Sequence, residues 1–325
     1  MKRVMLTAIV VTAMVTPTRT SELASLSSAT EWINSPPLTA ESLQGRVVLV
    51  QFWTYSCINW IRTLPYVRAW DKKYRDHGLV VIGVHAPEFE FERQLANARW
   101  GAELFGVDYP VAVDNDFAIW QAFGNEYWPA LYLIDGQGRV RHRHFGEGEY
   151  EQSERMIQKL LVEAGARGIG QELVAVAGRG VEVPADWANV GSPETYLGSD
   201  RSENRASVGA RLRLNQWSLG GDWTQQGQAV VLNEANGRIA YRFHARDLNL
   251  VMTPGAKGRP VRFQVLIDGH PPGPAHGVDV DEQGNGVVAE PRMYQLIRQP
   301  GRVADHQFEI QFLDPGVEAF VFTFG

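Results

Sequence analysis

The chain is 325 residues long, 44% hydrophobic and 21% charged, with a formal net charge of −6. That is a conventional globular composition, and the length is ample for two cores and long for one. Lys and Arg total 31 against 37 Asp and Glu and form no long run, so a basic nucleic-acid surface is excluded.

In chain order, Met1-Lys2-Arg3 followed by the apolar stretch Val4 to Val15 reads as a secretory signal, assigned to residues 1–20. The apolar run is shorter than the ~20 residues a spanning helix needs, so no integral membrane span is expected. The implied location is outside the cytoplasm, in the periplasm or cell envelope. No cysteine directly follows the apolar run to carry a lipid. The next 21–165 region reads as α/β.

Val47 to Val50 is a continuous β-branched and aliphatic run, which predicts a buried strand continuing through Phe52 and Trp53. The chain then turns at Thr54-Tyr55-Ser56 into a helix expected to start at Cys57, with Pro65 further along it. Cys57 is the chain's single cysteine, which excludes any internal disulfide. A thiol at a helix N-terminus meets unpaired N–H groups and the positive end of the macrodipole, so its pKa is expected to fall. The alternative is an inert packed cysteine, since free cysteines are often buried, with Trp60 one turn on as its shield.

Tyr66, Val67, Trp70 and Tyr74 continue the helical spacing to a stop at His77-Gly78. Leu79 to Val84 predicts a second buried strand, and His85-Ala86-Pro87-Glu88-Phe89 leaves its end. A helix over about Phe91 to Leu104 follows, then a strand at Pro110 to Val113 and a helix holding Ile119, Trp120 and Phe123. Asp114-Asn115-Asp116 reads as the cap of that helix. Asp135-Gly136-Gln137-Gly138 marks a hairpin between Leu131–Ile134 and Val140–Phe145. An amphipathic helix from about Glu151 to Ala164 closes the region. The alternation implies a parallel core with crossover helices. His85 with Glu88, or His142 with His144, offers metal-ligand types, but no third ligand is marked by spacing and no metal is expected.

Residues 166–205 are rich in Gly, Ala, Ser and Pro and read as a linker with short ordered pieces. Over 206–325 alternation of period two takes over. Ile239/Tyr241/Phe243, Phe263/Val265/Ile267, Phe308/Ile310/Phe312 and Phe320/Phe322/Phe324 each place apolar groups on one strand face. Turn signals separate them at Asn236-Gly237, Asp268-Gly269, Asn285-Gly286 and Asp314-Pro315-Gly316. An all-β, jelly-roll-like sandwich is the predicted class. Trp217, Trp223 and Tyr294 are the available platform for a sugar ring, although large aromatics are mostly core.

The wording FWTYSCIN, RTLPY, VVIGVHAPEF, YPVAVDND, YWPALYLID and GRVRHRHFGEG resembles the thioredoxin-like redoxin family. In particular it resembles the extracytoplasmic region of DipZ proteins, a thioredoxin-like domain followed by a carbohydrate-binding-module-like sandwich. The resemblance implies thiol–disulfide exchange at Cys57, with no cofactor, on an external thiol or disulfide-bearing protein. It also implies a carbohydrate-binding fold for the sandwich, with a glycan as its candidate ligand, although fold does not establish ligand. It makes Gln51, Trp53, Thr54 and Trp60 the active-site neighbours and places Trp128 and a cis Pro129 along the substrate groove.

Two departures stand out. Thioredoxins carry C-x-x-C, and here the resolving position holds Trp60. The buried Asp that usually precedes Phe-Trp is Gln51, which cannot titrate. An ordinary two-thiol cycle within the molecule is therefore excluded, and a second thiol must come from outside. Two other readings stand beside this one: a thiol peroxidase, since Thr54-x-x-Cys57 matches part of the peroxiredoxin motif, and a non-catalytic binding module.

Overall fold

A computed structural model describes residues 22–255 and 258–325; the signal expected at 1–20 lies outside them. The first half comprises β1 (Glu31–Ile33), β2 (Val47–Trp53), α1 (Ile58–Tyr74), β3 (Leu79–His85), α2 (Leu95–Leu104), β4 (Val111–Val113), α3 (Ala118–Phe123), β5 (Ala130–Ile134), β6 (Val140–Phe145) and α4 (Tyr150–Glu163). Its sheet runs β1-β4-β3-β2-β5-β6. The central β2, β3 and β4 are parallel, as the strand–helix alternation predicts. The flanking β1, β5 and β6 are antiparallel, β5 and β6 through the Asp135–Gly138 hairpin.

Strand β2 is buried along its whole length because both faces of the sheet are covered. Leu49 and Trp53 pack on the α1 side, whereas Val48, Val50 and Phe52 face a second cluster with Ile119, Phe123 and Tyr132. Gly78, at φ +102°, ends the helical run that begins with α1. Asp114 caps α3, accepting the amides of Ile119 at 3.0 Å and Trp120 at 2.8 Å. The helix expected from Phe91 starts later: Glu90–Arg93 is a 3-10 turn, and α2 begins at Leu95. Buried Glu92 draws that segment into a tight turn by accepting the amides of Glu88 and Phe89.

The second half comprises β7 (Thr195–Tyr196), β8 (Trp217–Gly220), β9 (Trp223–Gln225), β10 (Val230–Leu232), β11 (Arg238–His244), β12 (Asp247–Thr253), β13 (Val261–Ile267), β14 (Asn285–Val288), β15 (Arg292–Arg298), β16 (Asp305–Phe312) and β17 (Glu318–Phe324). One antiparallel sheet runs β15-β12-β17-β10-β9, with β7 added on β17, and the other runs β14-β13-β16-β11-β8. Their inner faces share a core that includes Tyr241, Phe263, Phe308 and Phe322. Strand β7 lies within the stretch read as a linker and already pairs with this sandwich.

Two local expectations are corrected. Asn285-Gly286 is strand, not turn: the reversal comes one step earlier, at Gly284 with φ +88°, where Asp281 accepts the amides of Gln283 and Asn285. Phe320 does not share a face with Phe322 and Phe324. The register passes from Val251↔Val321 to Met252↔Ala319, which leaves Phe320 as the extra residue of a β-bulge. It turns outward and packs against Phe89 and Phe91, with ring centroids 5.0 Å from each.

That bulge belongs to the seam between the halves. Val251, Met293, Phe320 and Val321 join the same cluster as Trp60, Ile61, Leu64 and Trp70 of α1. Helix α1 is therefore covered by its own sheet on one side and by the sandwich on the other, which is why its apolar residues are not confined to a stripe.

Candidate functional site at Cys57

The site forms where β2 ends and α1 begins. Cys57 is the N-cap residue of α1, extended at φ −79° and ψ 111°, and its carbonyl accepts the amide of Ile61 at 3.0 Å. Its sulfur lies 3.9 Å from the carbonyl oxygen of Trp128, and the Trp128–Pro129 bond is cis. The Trp128 indole N–H donates to the Ala86 carbonyl at 3.0 Å, and its ring sits 4.3 Å from that of Trp120. Three chain segments far apart in sequence thus meet at one sulfur.

The expected fall in the thiol's pKa does not occur. Burial pushes the Cys57 thiol up, and the carboxylates of Glu88 and Glu194 push it further. The first-turn amides of Trp60 and Asn59 act the other way, as a helix N-terminus should, but are outweighed. The residue keeps some solvent-exposed surface, yet its sulfur is crowded by protein atoms. At neutral pH it rests as a protonated thiol.

Gln51 and Trp60 are in direct contact. The Trp60 indole N–H donates to Gln51 Oε1 at 3.3 Å, and Gln51 Nε2 donates to Thr63 Oγ1 at 2.8 Å. Trp60 is fully buried, stacked on Trp53 with centroids 4.2 Å apart. The side chain in the resolving position is accordingly core, and an amide rather than an acid is the group that satisfies its N–H. Thr54 is fully buried with no partner for its hydroxyl among the described residues.

Other residues around the sulfur carry no sequence signal of a part in thiol chemistry. Glu92 is fully buried, accepts the Ser56 hydroxyl at 2.6 Å, and has its pKa pushed up to about 7 by burial. Glu88 accepts the Tyr196 hydroxyl at 2.7 Å and pairs with Arg201 at 2.9 Å, so β7 and the segment after it reach the site from the sandwich. Arg201 stacks over the Tyr196 ring at 3.6 Å. Glu194, two residues before Tyr196, retains exposed surface, but crowding and the neighbouring Glu88 raise its pKa to about 7.

The histidines do not assemble a metal site. His85 is fully buried against the edge of Trp53, and burial lowers its pKa to about 3. His142 lies 3.2 Å from the Ser153 hydroxyl, and His144 lies 3.4 Å from Glu149. Among the described residues no three His, Cys, Asp or Glu side chains converge as a ligand set. In the sandwich, Trp217 and Tyr294 are core, and Trp223 leans edge-on against Phe312. They form no exposed platform for a sugar.

Residues 34–161 match a family model described as Redoxin, and residues 192–325 one described as Thioredoxin like C-terminal domain. The thiol-disulfide oxidoreductase YkuV of Bacillus subtilis is 33% identical over 41% of this chain and 88% of its own length. This chain belongs to the thioredoxin-like redoxin family. Its kinship extends past the redoxin region: protein DipZ of Mycobacterium tuberculosis is 34% identical over 92% of this chain. The chain spans 42% of the length of DipZ. A solution structure of a thioredoxin-like protein in the oxidized form is 32% identical and covers 41% of this chain and 90% of its own, with a TM-score of 0.38. No helix among the described residues is long and apolar enough to cross a membrane.

Within this thioredoxin-like family member, one sulfur faces a backbone carbonyl and no second thiol lies anywhere in the chain. Such an arrangement can accept or donate one mixed disulfide.

Proposed function

We propose that this thioredoxin-like protein, exported to the cell envelope, performs thiol–disulfide exchange through Cys57 alone, with an external thiol resolving the mixed disulfide. The observation that carries the reading is the placement of Cys57 Sγ at the start of α1, 3.9 Å from the Trp128 carbonyl, with an indole filling the resolving position. Export rests on the basic start and apolar run of Met1 to Val15. The Cys57 thiol loses its proton to solvent and attacks one sulfur of a partner disulfide. The other sulfur leaves as a thiolate and takes up a proton. A second external thiol then attacks the new bond, releasing Cys57. Because its surroundings hold the thiol protonated, exchange is slow at neutral pH and quickens as pH rises.

One observation favours a second reading, a binding module without redox chemistry: the suppressed ionisation of the sulfur itself. Peroxide reduction fits less well. The charged groups acting most strongly on the sulfur are both carboxylates, the opposite of what an activated peroxidatic thiolate needs.

Iodoacetamide labelling of the folded protein against pH, with the label located by mass spectrometry and Cys57→Ser as the blank, decides between them. The exchange reading expects native labelling about tenfold slower at pH 7 than a free cysteine, still rising above about pH 9.5. Labelling only after unfolding would overturn exchange and favour the binding-module reading instead.

A further inference from the structure

The sandwich contributes side chains to the surroundings of the thiol, and their charge has a chemical consequence. Glu88 is fixed from two directions to residues that touch Cys57. Its amide donates to Glu92 Oε2 at 2.7 Å, and Glu92 accepts from Ser56, the residue before the cysteine. On the other side, Ala86, two residues earlier, accepts the indole N–H of Trp128, whose carbonyl faces the sulfur. The Glu88 carboxylate is then held by Tyr196 and Arg201 of the sandwich, which brings Glu194 to the same corner. Glu88 and Glu194 are the carboxylates whose charge acts on the sulfur, while Glu92 is buried behind Ser56. Arg201 is the cation recorded among them, and it is bound to Glu88.

We propose that Glu88 and Glu194 select the exchange partner by charge, admitting disulfides and thiols whose groups beside the sulfur are cationic or neutral and rejecting anionic ones. This rests on the exchange reading above. An incoming anion meets carboxylates in a partly desolvated corner, where repulsion is weakly screened, whereas an ammonium beside the reacting sulfur is attracted. The reaction is balanced: Cys57–SH and R–S–S–R give Cys57–S–S–R and R–SH. The Cys57 sulfur is oxidised, the released sulfur is reduced, and the proton passes through solvent to the leaving thiolate. The two residues determine specificity, since neither is placed in contact with the reacting atoms.

The test measures rates of mixed-disulfide formation by intact mass, using cystamine, bis(2-hydroxyethyl) disulfide and 3,3′-dithiodipropionate on the full chain at about pH 8.5, above the value of about 7 to which the Glu194 carboxyl is raised. Each rate is divided by that of the same reagent with the protein unfolded in urea, which removes intrinsic reactivity. Cystamine is expected to exceed the dicarboxylate by about tenfold at low salt, with the gap narrowing only partly at about 0.5 M salt. Glu88→Gln and Glu194→Gln should each narrow the gap, and Arg201→Ala should widen it. Because these variants push in opposite directions, a general loosening of the fold cannot imitate the pattern. Equal corrected rates, or a gap unmoved by the Glu variants, would overturn charge selection while leaving exchange standing. No reaction of the folded protein with any reagent would overturn exchange, and the selection with it.

Discussion

A carboxyl group shut away from water, like that of Glu92, resists ionisation even when three residues, Ser56, Glu88 and Phe89, donate hydrogen bonds to it. Its ordinary value of 4.5 is pushed up to about 7 by burial. The folded form holds its proton more tightly than the unfolded form does. The stability from this group is therefore complete below pH 4.5 and is lost as pH rises towards about 7. The difference amounts to about 3 kcal/mol. Glu92→Gln keeps an acceptor for the Glu88 and Phe89 amides and cannot ionise. Relative to the parent, it should gain stability between pH 5 and 8 in urea unfolding. A constant offset across that range would show that Glu92 ionises freely in the folded state. Gln51 illustrates the same rule by avoidance: deep under α1 it carries no charge, and both ends of its amide are used.

Helix α1 carries the reactive sulfur at its mouth and a large aromatic one turn in. C-x-x-C spacing places positions 57 and 60 within a turn of each other, so Trp60→Cys restores the geometry of a dithiol. It also removes an indole that is stacked on Trp53 and bonded to Gln51. The variant should lose about 3–5 kcal/mol in denaturant unfolding, because the surrounding rigid elements collapse only partly into the space. In an insulin-reduction assay it should gain dithiol activity that the parent lacks. A stable variant with no reductase activity would mean that the side chain at position 60 does not reach Cys57. Helix α2 is pressed on the same region: a Cβ at Gly101 would lie 2.6 Å from Tyr55, so the loop before Cys57 depends on the absence of a side chain there.

The seam between the halves is held by apolar packing and by one buried cation. Arg62, on α1, lies 3.3 Å from Glu147 and 3.8 Å from Asp247, which Arg246 and Arg298 of the sandwich also pair. Its side chain is 1% exposed. Arg62→Ala leaves Glu147 buried and unpaired, and should lower stability by about 3–5 kcal/mol. It should also open residues 166–192 to limited proteolysis, since those residues connect the halves. Arg262→Ala, which removes an exposed pair with Asp314, should leave both stability and the cleavage pattern nearly unchanged. Matching cleavage in both variants would remove Arg62 from the seam. The Tyr196–Glu88 bond lies on that same seam, so loosening it should also alter labelling at Cys57.

Local pattern was enough for most elements and for the sulfur. Strand β2 announces itself by a continuous apolar run, the β5–β6 hairpin by Asp135-Gly136, the sandwich by alternation, and Cys57 by its place before α1. The lack of a resolving thiol was also legible, because it is a matter of composition alone. The ionisation of Cys57 was not. A helix N-terminus is a local feature that lowers a thiol's pKa, but burial and the carboxylates of Glu88 and Glu194 come from segments up to 137 positions away in the numbering, and together they win. The same holds for Phe320, whose face is decided by a bulge against β12, and for Arg62, whose partners lie on the sandwich. Sequence by itself determined which residues could do the chemistry, since backbone preference and apolar periodicity act over a few residues. Only the tertiary structure decided their charge state and company, because desolvation and electrostatic fields depend on what packs around a group.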